Sequence, residues 1–229
     1  AGEHVHEPLI QSTLTVTNKD LSIGMDLATD YSVSEDGLIW TVKIRDDVKF
    51  TDGEPLTAKD VAFTYNNCRD NSSVNDFSML EEAVAVDDTT VEFHLNKPFS
   101  IWPYTMAVVG IVPEHAYDEN YGQNPVGSGR YIMKQWDKGQ QVIFEANPDY
   151  YGEEPKMKKV TVLFMEEDAA LAVAIELCLA LAKAHDPAAA ALGIVHHEEP
   201  QDDNDDHGQD TGKDAAPERR LGRQFGLDF

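Results

Sequence analysis

Leu38, Trp40, Val42 and Ile44 alternate with Ile39, Thr41, Lys43 and Arg45. A period of two places the first four on the core face of a strand. Val91, Phe93 and Leu95 alternate with Glu92 and His94 in the same way. Tyr131 to Trp136 and Gln141 to Ala146 flank Asp137-Lys138-Gly139-Gln140, the pattern of a β-hairpin. Val160 to Met165 is almost wholly apolar, which predicts a strand covered on both faces. Helical spacing is rarer. Val61, Ala62, Tyr65 and Cys68 share one helical face, and Thr57-Ala58-Lys59-Asp60 ahead of them resembles a capping box with Asp in place of the usual Glu. A second helix is predicted from Glu166 to Lys183. Its acidic start and basic end complement the helix dipole, and Pro187 stops it.

The patterning divides the chain into three sections. Strand and turn signals alternate to about residue 160, residues 161–197 are rich in Ala and Leu, and residues 198–229 are polar and charged. The last section cannot bury enough apolar surface to offset its ordering entropy, which predicts disorder. No internal repeat is present.

Composition narrows the function classes. The 229 residues correspond to one large domain, or one domain with an appendage. There are 42 acidic and 18 basic side chains, a formal net charge of −24. Binding to a polyphosphate needs clustered Lys and Arg, so nucleic acid is excluded as a partner, as is docking on an anionic membrane. The longest apolar run, Ala169 to Ala182, is 14 residues and contains Glu176, too short for membrane insertion. The two cysteines, Cys68 and Cys178, are too few for a disulfide scaffold. A bridge between them is possible, though two thiols are the more ordinary state.

Catalytic signatures are weak. Gly127-Ser128-Gly129 is neither a nucleophile elbow nor a phosphate cradle, and reads as a turn feeding the strand at Arg130. Asp46/Asp47 and Asp87/Asp88 sit in turn contexts and read as solvated turns. His4 and His6, and His185, His196, His197 and His207 among the carboxylates of the tail, match no closed metal site. No cofactor or metal is implied, and no nucleophile and base make an enzyme of this chain. Most of the aromatics fall on predicted core faces. Trp102-Pro103-Tyr104 lies between turn-like segments and is the best candidate for a partly exposed aromatic surface, with packing as its alternative role.

One stretch is more specific. Tyr31-Ser32-Val33-Ser34-Glu35-Asp36-Gly37-Leu38-Ile39-Trp40-Thr41-Val42-Lys43-Ile44-Arg45 precedes Val48-Lys49-Phe50-Thr51-Asp52-Gly53-Glu54-Pro55-Leu56-Thr57-Ala58-Lys59-Asp60-Val61. Ile111-Val112-Pro113-Glu114-His115, Pro125-Val126-Gly127-Ser128-Gly129-Arg130-Tyr131 and Asn147-Pro148-Asp149-Tyr150-Tyr151-Gly152 follow in order. This closely resembles the family 5 extracellular solute-binding proteins, the peptide- and nickel-type receptors of ABC importers. The residues of the signature form turns, a strand and a helix cap, so the motif identifies a fold and not a site.

The resemblance implies a mixed α+β fold of the α/β class. It corresponds to the N-terminal lobe of a type II periplasmic-binding-protein-like fold with its extra subdomain, the second lobe missing. On this reading residues 1–171 are the partial lobe, 172–197 an Ala/Leu-rich helix continuation that departs from the family, and 198–229 the acidic tail. The departure is expected of a truncated or frame-shifted product whose residues after about Ala172 are foreign to the fold. The implied function is capture of oligopeptides or dipeptides outside the membrane, periplasmic or at the cell surface as in lipoprotein receptors, for delivery to an ABC permease and ATPase complex. A nickel- or metal-chelate receptor is the alternative, disfavoured because no Arg lies between Arg69 and Arg130. A non-transport remnant or interaction subdomain is the other. Family ligands lie between lobes, which points to Asn71, Asn75 and Phe77 after the first helix, to Trp102, and to Met106, Val109 and Gly110 before Ile111. With one lobe, ligand binding is expected to be weak or absent, because hinge closure takes contacts from both sides.

Overall fold

The computed structural model describes residues 7–72, 76–164 and 192–195. A helical turn α1 (Glu7–Ile10) leads into a small hairpin of β1 (Thr15–Thr17) and β2 (Ile23–Met25). Then come β3 (Ala28–Val33), β4 (Ile39–Ile44), α2 (Ala58–Asn71), β5 (Leu80–Asp87) and β6 (Thr90–Leu95). A short helix α3 (Trp102–Met106) and two 3-10 turns precede the hairpin β7 (Tyr131–Asp137) and β8 (Gln141–Ala146), followed by β9 (Lys159–Phe164) and β10 (Leu192–Val195). All of these lie in one compact unit, Ala1–His197.

The alternating segments pair as their patterns require. One antiparallel sheet has the order β3-β4-β6-β5, with Trp40 opposite Phe93 and Val42 opposite Val91. Trp40, Val42, Ile44, Val91, Phe93 and Leu95 are all buried, so both central strands turn one face to the core. Helix α2 packs on that face through Val61, Ala62 and Tyr65, with Cys68 half-buried at its edge. Its start is held by the predicted capping box. The Asp60 carboxylate accepts the Thr57 N–H at 2.9 Å and the Thr57 hydroxyl at 3.1 Å, and takes the Glu114 N–H on its other oxygen at 3.1 Å. Tyr65 stands at the centre of the core, with ring centroids 4.6 Å from Phe93, 5.8 Å from Trp102 and 6.4 Å from Phe77.

The second sheet has the order β10-β9-β8-β7. The β7–β8 hairpin turns through Gly139, whose positive φ of 74° suits a residue without Cβ. Strand β9 differs from expectation. Only Val162 is buried, and Val160, Leu163 and Phe164 are half-buried; among the described residues Val160, Val162 and Phe164 pack with Ile10, Tyr131 and Phe144. Leu192–Val195, read from sequence as part of a helical continuation, form β10, parallel to β9. The β-branched pair Ile194-Val195 suits a strand, and residues 165–191 are long enough for the crossover a parallel pair needs. The helix expected from Glu166 to Lys183, Met165, Cys178, the tail and its histidines, and His4 and His6 lie outside the described residues.

Ile10, Gln11 and Ser12 run between the two clusters. Gly129 N–H donates to Ile10 C=O at 2.7 Å, Ile111 N–H to Ser12 C=O at 2.9 Å, and the Ser12 hydroxyl to Ser128 C=O at 3.1 Å. A Cβ on Gly127 would stand 2.1 Å from the Ile10 carbonyl oxygen, and one on Gly129 2.5 Å from the Ile10 carbonyl carbon. Neither glycine has positive φ. They are required for close backbone approach, which corrects the reading of Gly127-Ser128-Gly129 as a turn.

The Asn147–Gly152 motif closes the same junction. Asn147 is buried and donates from Nδ2 to Gly129 C=O at 3.0 Å. Tyr151 donates its hydroxyl to Asp26 at 2.7 Å, and Arg45 lies 4.4 Å over the Tyr151 ring. The guanidinium also grips Asp47 with two bonds, 2.5 and 2.7 Å, which hold that carboxyl below its ordinary range. Asp47 stays solvated, as its sequence context predicts, and also anchors Arg45.

Candidate functional site

Helix α3 has Pro103 in its first turn, where a missing N–H costs nothing. Five residues make less than two turns, yet the two sides differ sharply. Trp102, Pro103 and Met106 are buried, with Trp102 edge-on to Phe93 at 5.3 Å. Ile101, Tyr104 and Val108 are 54%, 46% and 58% exposed. Their spacing of three and four residues puts them on one side of the helix and its continuation.

The β1–β2 hairpin supports this stripe from the flank. Thr15 donates its hydroxyl to Pro103 C=O at 2.7 Å, and Tyr104 donates its own to Leu21 C=O at 3.0 Å. Leu21 sits at the hairpin tip with a positive φ of 65° and is 71% exposed. Ile101, Tyr104 and Val108 thus form an exposed stripe over an aromatic base, with the Tyr104 hydroxyl reaching the Leu21 backbone. Behind it, the loop to Ile111 passes against the junction. Gly110 leaves no room for a Cβ beside Gln11, whose amide reaches the Tyr121 hydroxyl at 3.0 Å, and Tyr121 in turn donates to Val126 C=O at 2.6 Å.

The residues named from sequence fall into this frame unevenly. Trp102, Met106 and Val109 are together, but all three are buried beneath the stripe, and Gly110 is half-buried on Gln11. Trp102 is therefore a core residue, and of the Trp102-Pro103-Tyr104 group only Tyr104 is open to solvent. The reason is the aromatic core: Trp102 fills the space beside Tyr65 and Phe93. Phe77 is also buried and meets Trp102 only across Tyr65. Asn71 is exposed at the end of α2, with its amide bonded back to Asn67. Asn75 lies outside the described residues. Ile101, Val108 and Leu21 are not among the residues named from sequence; the apolar spacing of Ile101, Tyr104 and Val108 hints at a stripe but is too short to orient the helix.

An open polar groove of about 530 Å³ lies elsewhere, lined by Asp26, Lys43, Arg45, Asp46 and Asp47 among others. Its charges are largely committed: Arg45 to Asp47, and Asp26 to Tyr151, whose hydroxyl is pushed up by burial and by that carboxylate. Among the described residues no cluster of three His, Cys, Asp or Glu side chains is arranged to hold a metal. No described helix is long and apolar enough to cross a membrane.

Comparison with known proteins places the chain in a family. Residues 22–177 match the family described as bacterial extracellular solute-binding proteins, family 5 Middle. The chain is 35% identical over 156 residues to the Escherichia coli K12 protein named "Probable D,D-dipeptide-binding periplasmic protein DdpA", covering 63% of this chain and 30% of that one. It is 32% identical over 170 residues to the oligopeptide-binding protein AppA of Bacillus subtilis, covering 68% and 31%. The structure of that AppA, in complex with a nonapeptide, superposes with a TM-score of 0.66 at 28% identity, over 74% of this chain and 37% of that one. NikZ of Campylobacter jejuni, in complex with Ni(L-His), superposes at 0.68 with 24% identity over 78% and 40%, a likeness of fold. The chain spans about 30% of the length of these curated relatives.

Proposed function

Because this chain belongs to the bacterial extracellular solute-binding proteins of family 5, we propose that it serves the substrate-binding component of an ABC importer for peptides. Its fold is that of a lobe of the type II periplasmic binding proteins. The observation that carries the peptide reading is the apolar stripe of Ile101, Tyr104 and Val108 beside Leu21, standing on the Trp102, Tyr65 and Phe93 base. Extended peptides offer alternating side chains, which an exposed apolar surface can receive. Two of the relatives above 30% identity carry names that refer to D,D-dipeptides and to oligopeptides. The nickel-named structure lies below 25% identity and supports the fold alone.

The ligand-binding set is revised accordingly. Ile101, Tyr104 and Val108 contact the peptide, Gly110 and Gln11 shape the adjoining backbone, and Trp102, Met106 and Val109 hold the surface from beneath. Asn71 and Asn75 remain at the margin of this proposal. The protein acts outside the cytoplasmic membrane, associated with the cell surface, and hands its cargo to a permease and ATPase complex without chemical turnover. This chain alone captures peptide weakly, because one surface provides contacts on one side only.

Titration of 15N-labelled protein with di- to pentapeptide pools tests the reading. Millimolar-range shifts centred on Tyr104 and Val108 are expected. Shifts confined to the Asp26–Asp47 groove, or submicromolar affinity for the chain alone, would overturn it.

A further inference from the structure

Residues 116–126 form a loop with both feet on one turn. The turn is Phe50 to Glu54, closed by Phe50 N–H to Glu54 C=O at 2.9 Å, and Gly53 in it has φ of 97°. At the far foot, Thr51 N–H donates to Gly127 C=O at 2.9 Å and Gly127 N–H reaches the Thr51 hydroxyl at 3.4 Å. At the near foot, His115 Nε2 lies 2.7 Å from the Asp52 carboxylate, with the Phe50 ring edge-on to the imidazole. Between the feet, Tyr117 packs on Phe63 of α2, and Tyr121 holds Gln11 at the junction of the two clusters. The far foot is made of neutral hydrogen bonds. The near foot holds a group that titrates in the physiological range.

We propose that His115 and Asp52 form a pH-sensitive latch, which fixes the near foot of this loop in weakly acidic medium and loosens it as pH rises. Among the described residues, the charged groups that act on the imidazole are acidic: Asp52 and Glu54 from the turn and Asp60 from α2, with Glu114 preceding His115 in the chain. They favour the imidazolium, and the hydrogen bond to Asp52 raises the His115 pKa above its ordinary value. The sign follows from linkage. The folded pKa is raised, so the added stability is full below the unfolded value near 6.5 and is lost as pH climbs through the folded value. Above that point a neutral imidazole still donates one N–H to Asp52, so the latch weakens without vanishing. The bond from the Glu114 N–H to the Asp60 carboxylate keeps the chain close, which makes the transition local. The device lies apart from the apolar stripe and does not depend on the peptide reading.

Hydrogen exchange of the full chain, corrected for intrinsic rates, tests it at pH 5.5 and 8.5. Protection of amides in 116–126 is expected to fall by about two- to fivefold at the higher pH, the range an exposed ion pair supports. His115→Gln keeps a donor and removes the titration, so its loop protection is expected to be flat with pH. Asp52→Asn is expected to lower the His115 midpoint, read by NMR, toward the ordinary value. Uniform protection at both pH values in the parent, a pH dependence that survives His115→Gln, or an unmoved His115 midpoint in Asp52→Asn would overturn the proposal.

Discussion

Replacing Gly127 by Ala tests the junction most directly. The added methyl would stand 2.1 Å from the Ile10 carbonyl oxygen, 2.7 Å from its Cγ2 and 2.8 Å from its carbonyl carbon. Two of these neighbours are backbone atoms, which cannot swing aside as a side chain can. Overpacking of this kind costs about 1–3 kcal/mol. Separating the two segments to make room also strains the Gly129 to Ile10 hydrogen bond, worth about 0.5–1.5 kcal/mol. Against this, Ala restricts the unfolded chain and returns about 0.4–1 kcal/mol. The net expectation is a loss of about 2 kcal/mol. With a urea m-value of about 2 kcal/mol/M, the unfolding midpoint drops by roughly 1 M. Gly122 serves as the control, since nothing lies within 4 Å of a Cβ placed there and its φ is not positive. Gly122→Ala is expected to stay within about 0.5 kcal/mol of the parent. Equal midpoints for the two variants would refute the claim that close approach, rather than turn geometry, dictates these glycines.

Other expectations follow from the same contacts. Asp60→Ala removes the acceptor for two backbone N–H groups and one hydroxyl, and is expected to cost about 2–3 kcal/mol in urea unfolding. Trp102→Ala is expected to cost about 3–5 kcal/mol, whereas Tyr104→Ala should cost about 1 kcal/mol or less and should abolish peptide-induced shifts, a split that circular dichroism and NMR can read together. Burial pushes the Tyr65 hydroxyl up, and burial with Asp26 nearby does the same to Tyr151. Both are neutral below about pH 10 in either state, but above it the unfolded chain loses protons that the folded chain retains. Stability should therefore fall as pH rises beyond that point, and Tyr151→Phe should flatten the slope of the urea midpoint between pH 9.5 and 11.

What could be read from the sequence was local. The faces of β4 and β6 follow from a period of two within six residues each, and the capping box at Thr57 and Asp60 spans four positions. The Gly127-Ser128-Gly129 motif was visible as a motif but not as a contact, since its partner Ile10 lies 117 residues away from Gly127 in the chain. The same holds for Tyr151, whose meaning depends on Asp26 and Arg45. For α3 the limit was length. Fewer than two turns carry too little periodicity to say that Trp102 points inward and Tyr104 outward, and only the Tyr65 and Phe93 rings beneath decide it. The four ordered motifs, scattered in sequence, meet pairwise: His115 with Asp52, Glu114 with Asp60, and Asn147 with Gly129.

Charge adds a selectivity that the apolar stripe lacks. The whole chain carries a formal −24, and its surface field attracts cations and repels anions over about one Debye length, roughly 8 Å at physiological salt. On the proposed reading the stripe itself is uncharged, so the field would act on approach and the aromatic base on residence. Association rates for Lys- or Arg-containing peptides should accordingly fall as salt rises, while rates for Asp- or Glu-containing peptides of equal length should increase. Dissociation should be insensitive to salt in both cases, because Ile101, Tyr104 and Val108 offer no charge to screen. Salt-dependent dissociation would place a charged side chain in the contact and shift attention from α3 to the Arg45–Asp47 groove.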